Sequence, residues 1–337
     1  MATKTLEEIA QTLITDQKGI LAADQPSVHL ANRLEVLNTT AQDDTYRKWC
    51  ELLFTTPELS THVSGVIMHP SAVDLSTDDG NSLVDVVIDN GMIPGISPST
   101  GLIPLAGAPG EVIAGGLDNL REGFQRYAAM GIGFSKWRAA IRIGDTIPTS
   151  YCINANAYIL AQFAALSQEA GIVPIVEPEV ELIGTHTIER CFEVTEWMLK
   201  RTFEELYEHR VNLEATLLKA NMVVSGADCL TQARIETVAD MTVRVLRRAA
   251  PSAIPGVVFL SGGQTDINAT AHLNAMNAAY SNPWKLTFSY ARALQRAPLD
   301  AWRNNPHRLL DGQAALKHRA NMNALASVGR WSPNLEQ

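Results

Sequence analysis

The sequence predicts an α/β protein whose eight parallel strands close into a barrel, and three observations point there. Eight short apolar runs recur, each ending in polar residues or glycine: GILAAD from Gly19, VSGVIMHP from Val63, MIPGIS from Met92, FSKWRAAI from Phe134, IVPIVEPE from Ile172, LEATLLKAN from Leu213, GVVFLSGG from Gly256 and KLTFSY from Lys285. Amphipathic helical stretches lie between several of them, such as NAYILAQFAALSQEAG from Asn156, TIERCFEVTEWMLKRTFEELYEH from Thr187 and ARIETVADMTVRVLRRAA from Ala233. This alternation implies parallel neighbours, because parallel strands need crossover connections. Third, Asp24, Lys136, Glu177, Glu179 and Lys219 sit inside or just after the apolar runs. An unpaired charge inside a strand costs several kcal/mol. In a TIM (β/α)8 barrel these groups instead converge on the C-terminal ends of the strands, where that architecture keeps its active site. The chain reads as one such domain over residues 1–337, with an N-terminal helix and a C-terminal helix and tail, since no repeat or linker divides it. The alternative, an open doubly wound sheet binding a dinucleotide, lacks a GxGxxG after the first run.

Composition narrows the function. Hydrophobic residues make up 46% and charged residues 19%, which suits a large core in a water-borne protein. The net charge of −9 argues against nucleic acid as a partner, since that needs a positive face to displace counterions. A small anion needs only a few local cations. Cys50, Cys152, Cys191 and Cys229 stand singly without a CxxC, so they read as free thiols in a reducing compartment. The N-terminal stretch is an acidic amphipathic helix without an apolar signal core, and no run is long enough to cross a bilayer. The expectation is a cytoplasmic protein with no membrane partner.

Lys136 and Lys219 interrupt apolar stretches, GFSKWRA and ATLLKANM. A lysine in apolar surroundings beside a second cation has its pKa lowered, and the free amine can attack a ketone carbonyl. The resulting iminium withdraws electrons, so a neighbouring carbon–carbon bond can break. The alternative is that each lysine is simply paired with a carboxylate. Glu177 and Glu179, two apart in IVEPEV, share a face of an ideal strand. Two close carboxylates do not ionise independently, so one can stay protonated and serve as an acid; the alternative is a pair of exposed loop glutamates. Pro178 between them fits a strand end better than a strand centre. Ser261-Gly262-Gly263 after the seventh run can offer backbone N–H groups to an anion, and Arg292 after the eighth stands where a helix starts. Taken separately, each is an ordinary turn or a surface arginine; together they fit the usual phosphate position of this barrel. The eight histidines contain no HxxxH or HxH, so no metal site is read. His69 closes the second run and reads as a structural, hydrogen-bonded histidine.

These stretches resemble the class I fructose-bisphosphate aldolases. KGILAAD, GLIPLAG, FSKWR, GIVPIVEPE, LEATLLKANM, FLSGGQ and LTFSYARALQ match in order over nearly the whole chain. The resemblance implies reversible cleavage of a ketose bisphosphate through a lysine Schiff base, with a sugar phosphate as partner and no cofactor or metal. It assigns Lys219 to the Schiff base, Glu177 to acid/base work in its formation, and Glu179 to the carboxylate network beside it. Lys136 supplies positive charge and Asp24 takes the proton from the hydroxyl of the carbon being released. Ser261, Gly262 and Arg292, with the backbone of Ala291, hold the phosphate of the ketone half, while Arg138 and Arg33 match arginines of the site and the far phosphate pocket. A homo-oligomer, a tetramer, is also implied.

The sequence departs from the family on the aldehyde side. Gln25-Pro26-Ser27-Val28-His29 replaces the usual Glu-Ser-Thr-Gly-Ser, and Ile96-Ser97-Pro98-Ser99-Thr100 replaces Ile-Lys-Val-Asp-Lys. Two hydroxyls and two lysines are thereby lost, with Ser97 left where one lysine stood. Ala291 replaces a glycine. Many members carry a tail ending in tyrosine where this sequence closes on RWSPNLEQ, which makes Glu177 the expected donor to the enamine. The ketone half is expected intact and the aldehyde half altered. A Schiff-base aldolase for a different aldehyde, and a barrel retained as a binding scaffold, are the alternatives.

Overall fold

The computed structural model describes residues 4–34 and 39–336, leaving out the side chains of residues 31–33, 39–42 and 306. All eight apolar runs form strands, and a hairpin adds two more. In chain order they are β1 (Gly19–Ala23), β2 (Val63–Met68), β3 (Ile93–Ile96), β4 (Gly101–Pro104), β5 (Val112–Gly115), β6 (Phe134–Ile141), β7 (Val173–Val180), β8 (Leu217–Ala220), β9 (Gly256–Phe259) and β10 (Lys285–Tyr290). The helices are α1 (Leu6–Leu13), α2 (Ser27–Arg33), α3 (Thr39–Phe54), α4 (Leu83–Asp89), α5 (Leu120–Ala129), α6 (Ser150–Glu169), α7 (Ile188–Glu208), α8 (Ile235–Ala249), α9 (Asp266–Ala279), α10 (Arg292–Trp302) and α11 (Leu309–Ala326). The barrel closes in the order β1, β10, β9, β8, β7, β6, β3, β2 and back to β1. Its paired neighbours run parallel, and β4 and β5 form a separate antiparallel ribbon. Among the described residues no helix is long and apolar enough to cross a membrane.

Three local features differ from the sequence reading. Helix α6 begins at Ser150, before Asn156, because Thr149 caps it: its hydroxyl accepts the Cys152 N–H at 3.2 Å and donates to the buried Glu111 carboxylate at 2.6 Å. Pro178 lies inside β7 rather than at its end. Pairing with β8 is recorded only at Ile175 and Val176, and beyond it the Val180 N–H turns to the Asn221 side chain at 3.0 Å, so the missing proline N–H interrupts no paired stretch on that side. The β4–β5 ribbon went unread because every residue of β4 is exposed, so it carries no burial pattern.

Inward positions of the barrel are filled from below by a compact apolar floor. Ala10, Leu13 and Ile14 of the N-terminal segment close the barrel against Ile20, Ala22, Ile67, Phe134, Val173, Ile175, Leu217 and Val258. A reciprocal capping box fixes the start of α1: the Thr5 hydroxyl accepts the Glu8 N–H at 3.2 Å and the Glu8 carboxylate accepts the Thr5 N–H at 2.8 Å. The Phe134 ring occupies so much of the lumen that facing positions on β2 and β3 must be glycine. A Cβ at Gly65 would lie 2.8 Å from Phe134 Cε1, and one at Gly95 would collide with the same ring.

Replacing Gly95 with alanine should therefore cost about 1–3 kcal/mol through overpacking, seen as an earlier midpoint of urea unfolding with an unchanged slope. An unchanged midpoint would show that Phe134 has room to move.

Candidate active site

Side chains alternate across a strand, so the next inward position lies two residues beyond each floor residue. Beyond Ala22, Ile67, Gly95, Phe134, Ile175 and Leu217 those positions are Asp24, His69, Ser97, Lys136, Glu177 and Lys219. The apolar floor thus gives way to a polar layer in a single step. The strand register makes four of these a continuous row. Ala23 pairs with Met68, Met68 with Ile96, and Ile96 with Ser135, so the following residues are Asp24, His69, Ser97 and Lys136.

The layer is held by ion pairs that run across the lumen. Lys219 Nζ lies 3.0 Å from Glu177 Oε1, Lys136 Nζ lies 3.0 Å from Glu177 Oε2, and Lys136 Nζ reaches Asp24 Oδ2 at 2.7 Å. Charges alternate along the chain Lys219, Glu177, Lys136, Asp24, and sum to zero when all four are ionised. Lys136, Glu177 and Lys219 are all buried. The pairing alternative for the lysines is the one the structure bears out: each is paired with a carboxylate, and Glu177 is shared between them, while the expected lowering of the lysine pKa is reversed at Lys136 by its two carboxylates.

Arg138 and Glu179 stand one inward step further toward the mouth. The Arg138 Nε donates to Glu179 and its Nη2 to Glu181 Oε1 at 3.0 Å, while Arg142 Nε reaches the second oxygen of Glu181 at 3.0 Å. Arg138 is therefore largely committed to carboxylates. Ser97 is buried at the end of β3, its N–H continuing the ladder to the Met68 carbonyl at 3.0 Å. The side chain of Arg33 lies outside the described residues.

The electrostatics separate the carboxylates. Burial pushes the Asp24 carboxyl up, but Lys136 and Lys219 more than reverse it and hold it at about 2. Burial likewise opposes the Glu177 anion, and the same two lysines outweigh it, leaving its pKa below the ordinary value. Glu179 goes the other way: burial, reinforced by Glu177, raises it despite Arg138. Burial disfavours the Lys136 ammonium, yet Asp24 and Glu177 push its pKa above the ordinary lysine value. The carboxyl held toward its protonated form in the resting site is thus Glu179, whereas the family role of acid/base falls on Glu177. Glu177 is the anion at rest because two ammonium groups face it.

A carboxyl with a lowered folded pKa adds stability above its unfolded value, near 4, and that stability is lost as pH falls toward the folded value near 2. Carbon-13 titration of Asp24 should therefore show no protonation between pH 8 and about 4, and Lys136→Met should move its midpoint upward. Protonation within that window in the unmodified protein would contradict the ion-pair chain.

The opposite arc of the mouth forms an anion cradle. After β9, Ser261 is buried and Gly262 and Gly263 take the left-handed φ values 57° and 95°, a turn closed by the Gln264 N–H to the Ser261 carbonyl at 3.0 Å. Successive glycine N–H groups in such a turn line a concave surface for an anion. A Cβ at Gly263 would lie 3.1 Å from Arg292 Nη2, so the guanidinium packs directly on the turn. Arg292 opens the 11-residue helix α10, with Ala291 at its N-cap, and the first-turn amides of a helix have no intrahelical acceptor. Ser261, Gly262, Ala291 and Arg292 are thus brought together, beside Lys219 on the adjoining strand β8.

The family model for class I fructose-bisphosphate aldolase matches residues 5–337. A probable fructose-bisphosphate aldolase class 1 of Xanthomonas campestris is 45% identical over 332 residues, covering 98% of this chain and 99% of the relative. Fructose-bisphosphate aldolase 2 of Caenorhabditis elegans is 43% identical, over 97% of this chain and 90% of its own length. Among solved structures, the fructose-bisphosphate aldolase of Plasmodium falciparum, in complex with TRAP and a small-molecule inhibitor, superposes with a TM-score of 0.94 at 37% identity, covering 97% of this chain and 95% of that one. The closed barrel, the buried lysine–carboxylate layer and these full-length similarities place the chain in the class I fructose-bisphosphate aldolase family, a family of carbon–carbon lyases.

Proposed function

We propose that this chain cleaves fructose 1,6-bisphosphate reversibly to dihydroxyacetone phosphate and glyceraldehyde 3-phosphate through a Schiff base on Lys219. The observation that carries the proposal is the buried Lys219 amine 3.0 Å from Glu177, with an anion cradle on the next strand ends. The phosphate of the ketone half sits on Ser261, Gly262 and Arg292 with the α10 amides from Ala291 onward, which brings the ketone over Lys219. Glu177 takes a proton from the Lys219 ammonium, and the free amine adds to the carbonyl. Glu177 returns that proton to the carbinolamine hydroxyl, which leaves as water and gives the iminium. Asp24, an anion at working pH, accepts the proton of the hydroxyl β to the former ketone. The electrons of the adjacent carbon–carbon bond move into the iminium, the aldehyde departs, and an enamine remains. Protonation and hydrolysis release the second product. Lys136 keeps Asp24 and Glu177 ionised and a fixed distance apart, and Glu179 anchors Arg138 at the mouth. No metal takes part, so a chelator should leave the rate unchanged. The same proposal extends to a cytoplasmic homotetramer, which sedimentation would test.

Treatment with dihydroxyacetone phosphate and borohydride should add the reduced ligand to Lys219, located by peptide mass, and Lys219→Ala should abolish cleavage because the other amine beside Glu177, that of Lys136, is paired with both Asp24 and Glu177 and held in its ammonium form. Labelling at another lysine, or none, would remove the assignment.

The aldehyde half favours a weaker grip on the distal phosphate. Ser97 and Thr100 stand where the family has lysines, and Arg138 is held by Glu179 and Glu181. A hydrogen bond to a charged group contributes roughly 1.5–3 kcal/mol. The ratio of kcat/KM for fructose 1,6-bisphosphate to that for fructose 1-phosphate should therefore exceed one but stay below about a hundred. A ratio above a thousand that survives Arg33→Ala would show a pocket built from other cations, and a ratio near one would favour a different, unphosphorylated aldehyde.

A further inference from the structure

His69 stands inside the polar layer yet has no part in the mechanism above. It follows the inward residue Ile67 by two positions, keeps extended backbone (φ −80°, ψ 148°), and lies in register between Asp24 and Ser97. The flanking members of that row, Asp24 and Lys136, meet at 2.7 Å across the same arc. The closed strand order puts β2 four strands from β8 in either direction, so His69 faces Lys219 from the opposite wall of the lumen. A substrate bonded to Lys219 through its ketone carbon and held by the β9 and β10 loops extends its departing half toward that wall.

The imidazole is oriented for one task. Its Nδ1 accepts the Ser71 N–H at 3.1 Å and lies 2.8 Å from the Ser71 hydroxyl. A nitrogen accepting a backbone N–H carries no proton, so in the neutral ring the proton is on Nε2. Among the described residues Nε2 has no hydrogen-bond partner. Burial holds the ring pKa below the ordinary histidine value, with His29 and Lys136 acting the same way and Asp24 opposing them, so the neutral form prevails at neutral pH.

We propose that His69 is a further substrate-positioning residue of this aldolase, its Nε2–H donating to the oxygen that becomes the carbonyl oxygen of the released aldehyde. That oxygen loses its proton to Asp24, the row neighbour of His69, and the donor holds it in place as the bond breaks. The inference rests on the Lys219 chemistry proposed above.

Two variants separate this role from the capping of the Pro70–Ala72 turn. His69→Asn keeps an acceptor for the Ser71 N–H but has no donor at the Nε2 position, whereas His69→Gln can place an amide N–H there. Wild type and H69N should be labelled at Lys219 by dihydroxyacetone phosphate and borohydride at the same rate. Cleavage by H69N should fall about 10- to 100-fold in kcat/KM, equally for fructose 1,6-bisphosphate and fructose 1-phosphate, with much of the loss recovered in H69Q. Normal cleavage by H69N, a parallel drop in its labelling, a loss confined to the bisphosphate, or equal losses in H69N and H69Q would each overturn the inference. Failure of the wild type itself to be labelled at Lys219 would instead defeat the function on which the inference depends.

Discussion

The site depends on one carboxylate shared by two buried lysines. Glu177 lies 3.0 Å from both Lys136 and Lys219, and Lys136 passes the charge on to Asp24. Each ion alone would carry a desolvation penalty of several kcal/mol. Alternation of sign makes the set tolerable, and removal of one partner from such a set typically costs about 3–5 kcal/mol because the rest is left unpaired. The same geometry gives the residues different work. Lys136, with two carboxylates and an elevated pKa, remains a fixed cation. Among the described residues Lys219 is ion-paired with Glu177 alone, and in the proposed reaction a single proton transfer between them yields both a free amine and a carboxylic acid that can expel water.

That arrangement is possible because the floor beneath it is rigid. Phe134 fills the lower lumen, with Gly65 and Gly95 leaving room for its ring, and α1 closes the bottom with Ala10 and Leu13. Two residues further along β1, β2, β3, β6, β7 and β8 the side chains turn polar. A floor of this density fixes strand register, and strand register fixes which charges meet. Lys136 lies on the same strand as Phe134, so the largest group of the floor and the cation that joins Asp24 to Glu177 are set by one segment of backbone.

Much of this was legible in the sequence. The eight barrel strands announced themselves as apolar runs, and Asp24, Lys136, Glu177 and Lys219 as charges that such runs do not tolerate without partners. Other parts depended on distances that no one-dimensional pattern carries. Glu177 and Glu179 look equivalent in IVEPEV, and only their surroundings separate them: two lysines face Glu177, while Glu179 meets Arg138. The β4–β5 ribbon was not legible as strands, although GLIPLAG covers β4, because that strand is exposed along its length and shows no alternation. His69 was legible as the end of a strand, but its place in the row between Asp24 and Ser97 follows from register alone. The early start of α6 reflects a contact between Thr149 and Glu111, which are far enough apart in sequence to be invisible to local propensity.

If Glu177 works on the amine and Asp24 on the departing half, the two carboxylates can be separated in time. The most direct measurement is the rate of borohydride-trappable adduct formation on Lys219 after rapid mixing with fructose 1,6-bisphosphate, compared between Glu177→Gln and Asp24→Asn. General acid–base catalysis contributes about 100- to 10,000-fold, so Glu177→Gln should form the adduct at least about 100 times more slowly than wild type. Asp24→Asn should form it at close to the normal rate and then fail to cleave. Equal rates of adduct formation in the two variants would contradict the division of labour along the charge chain.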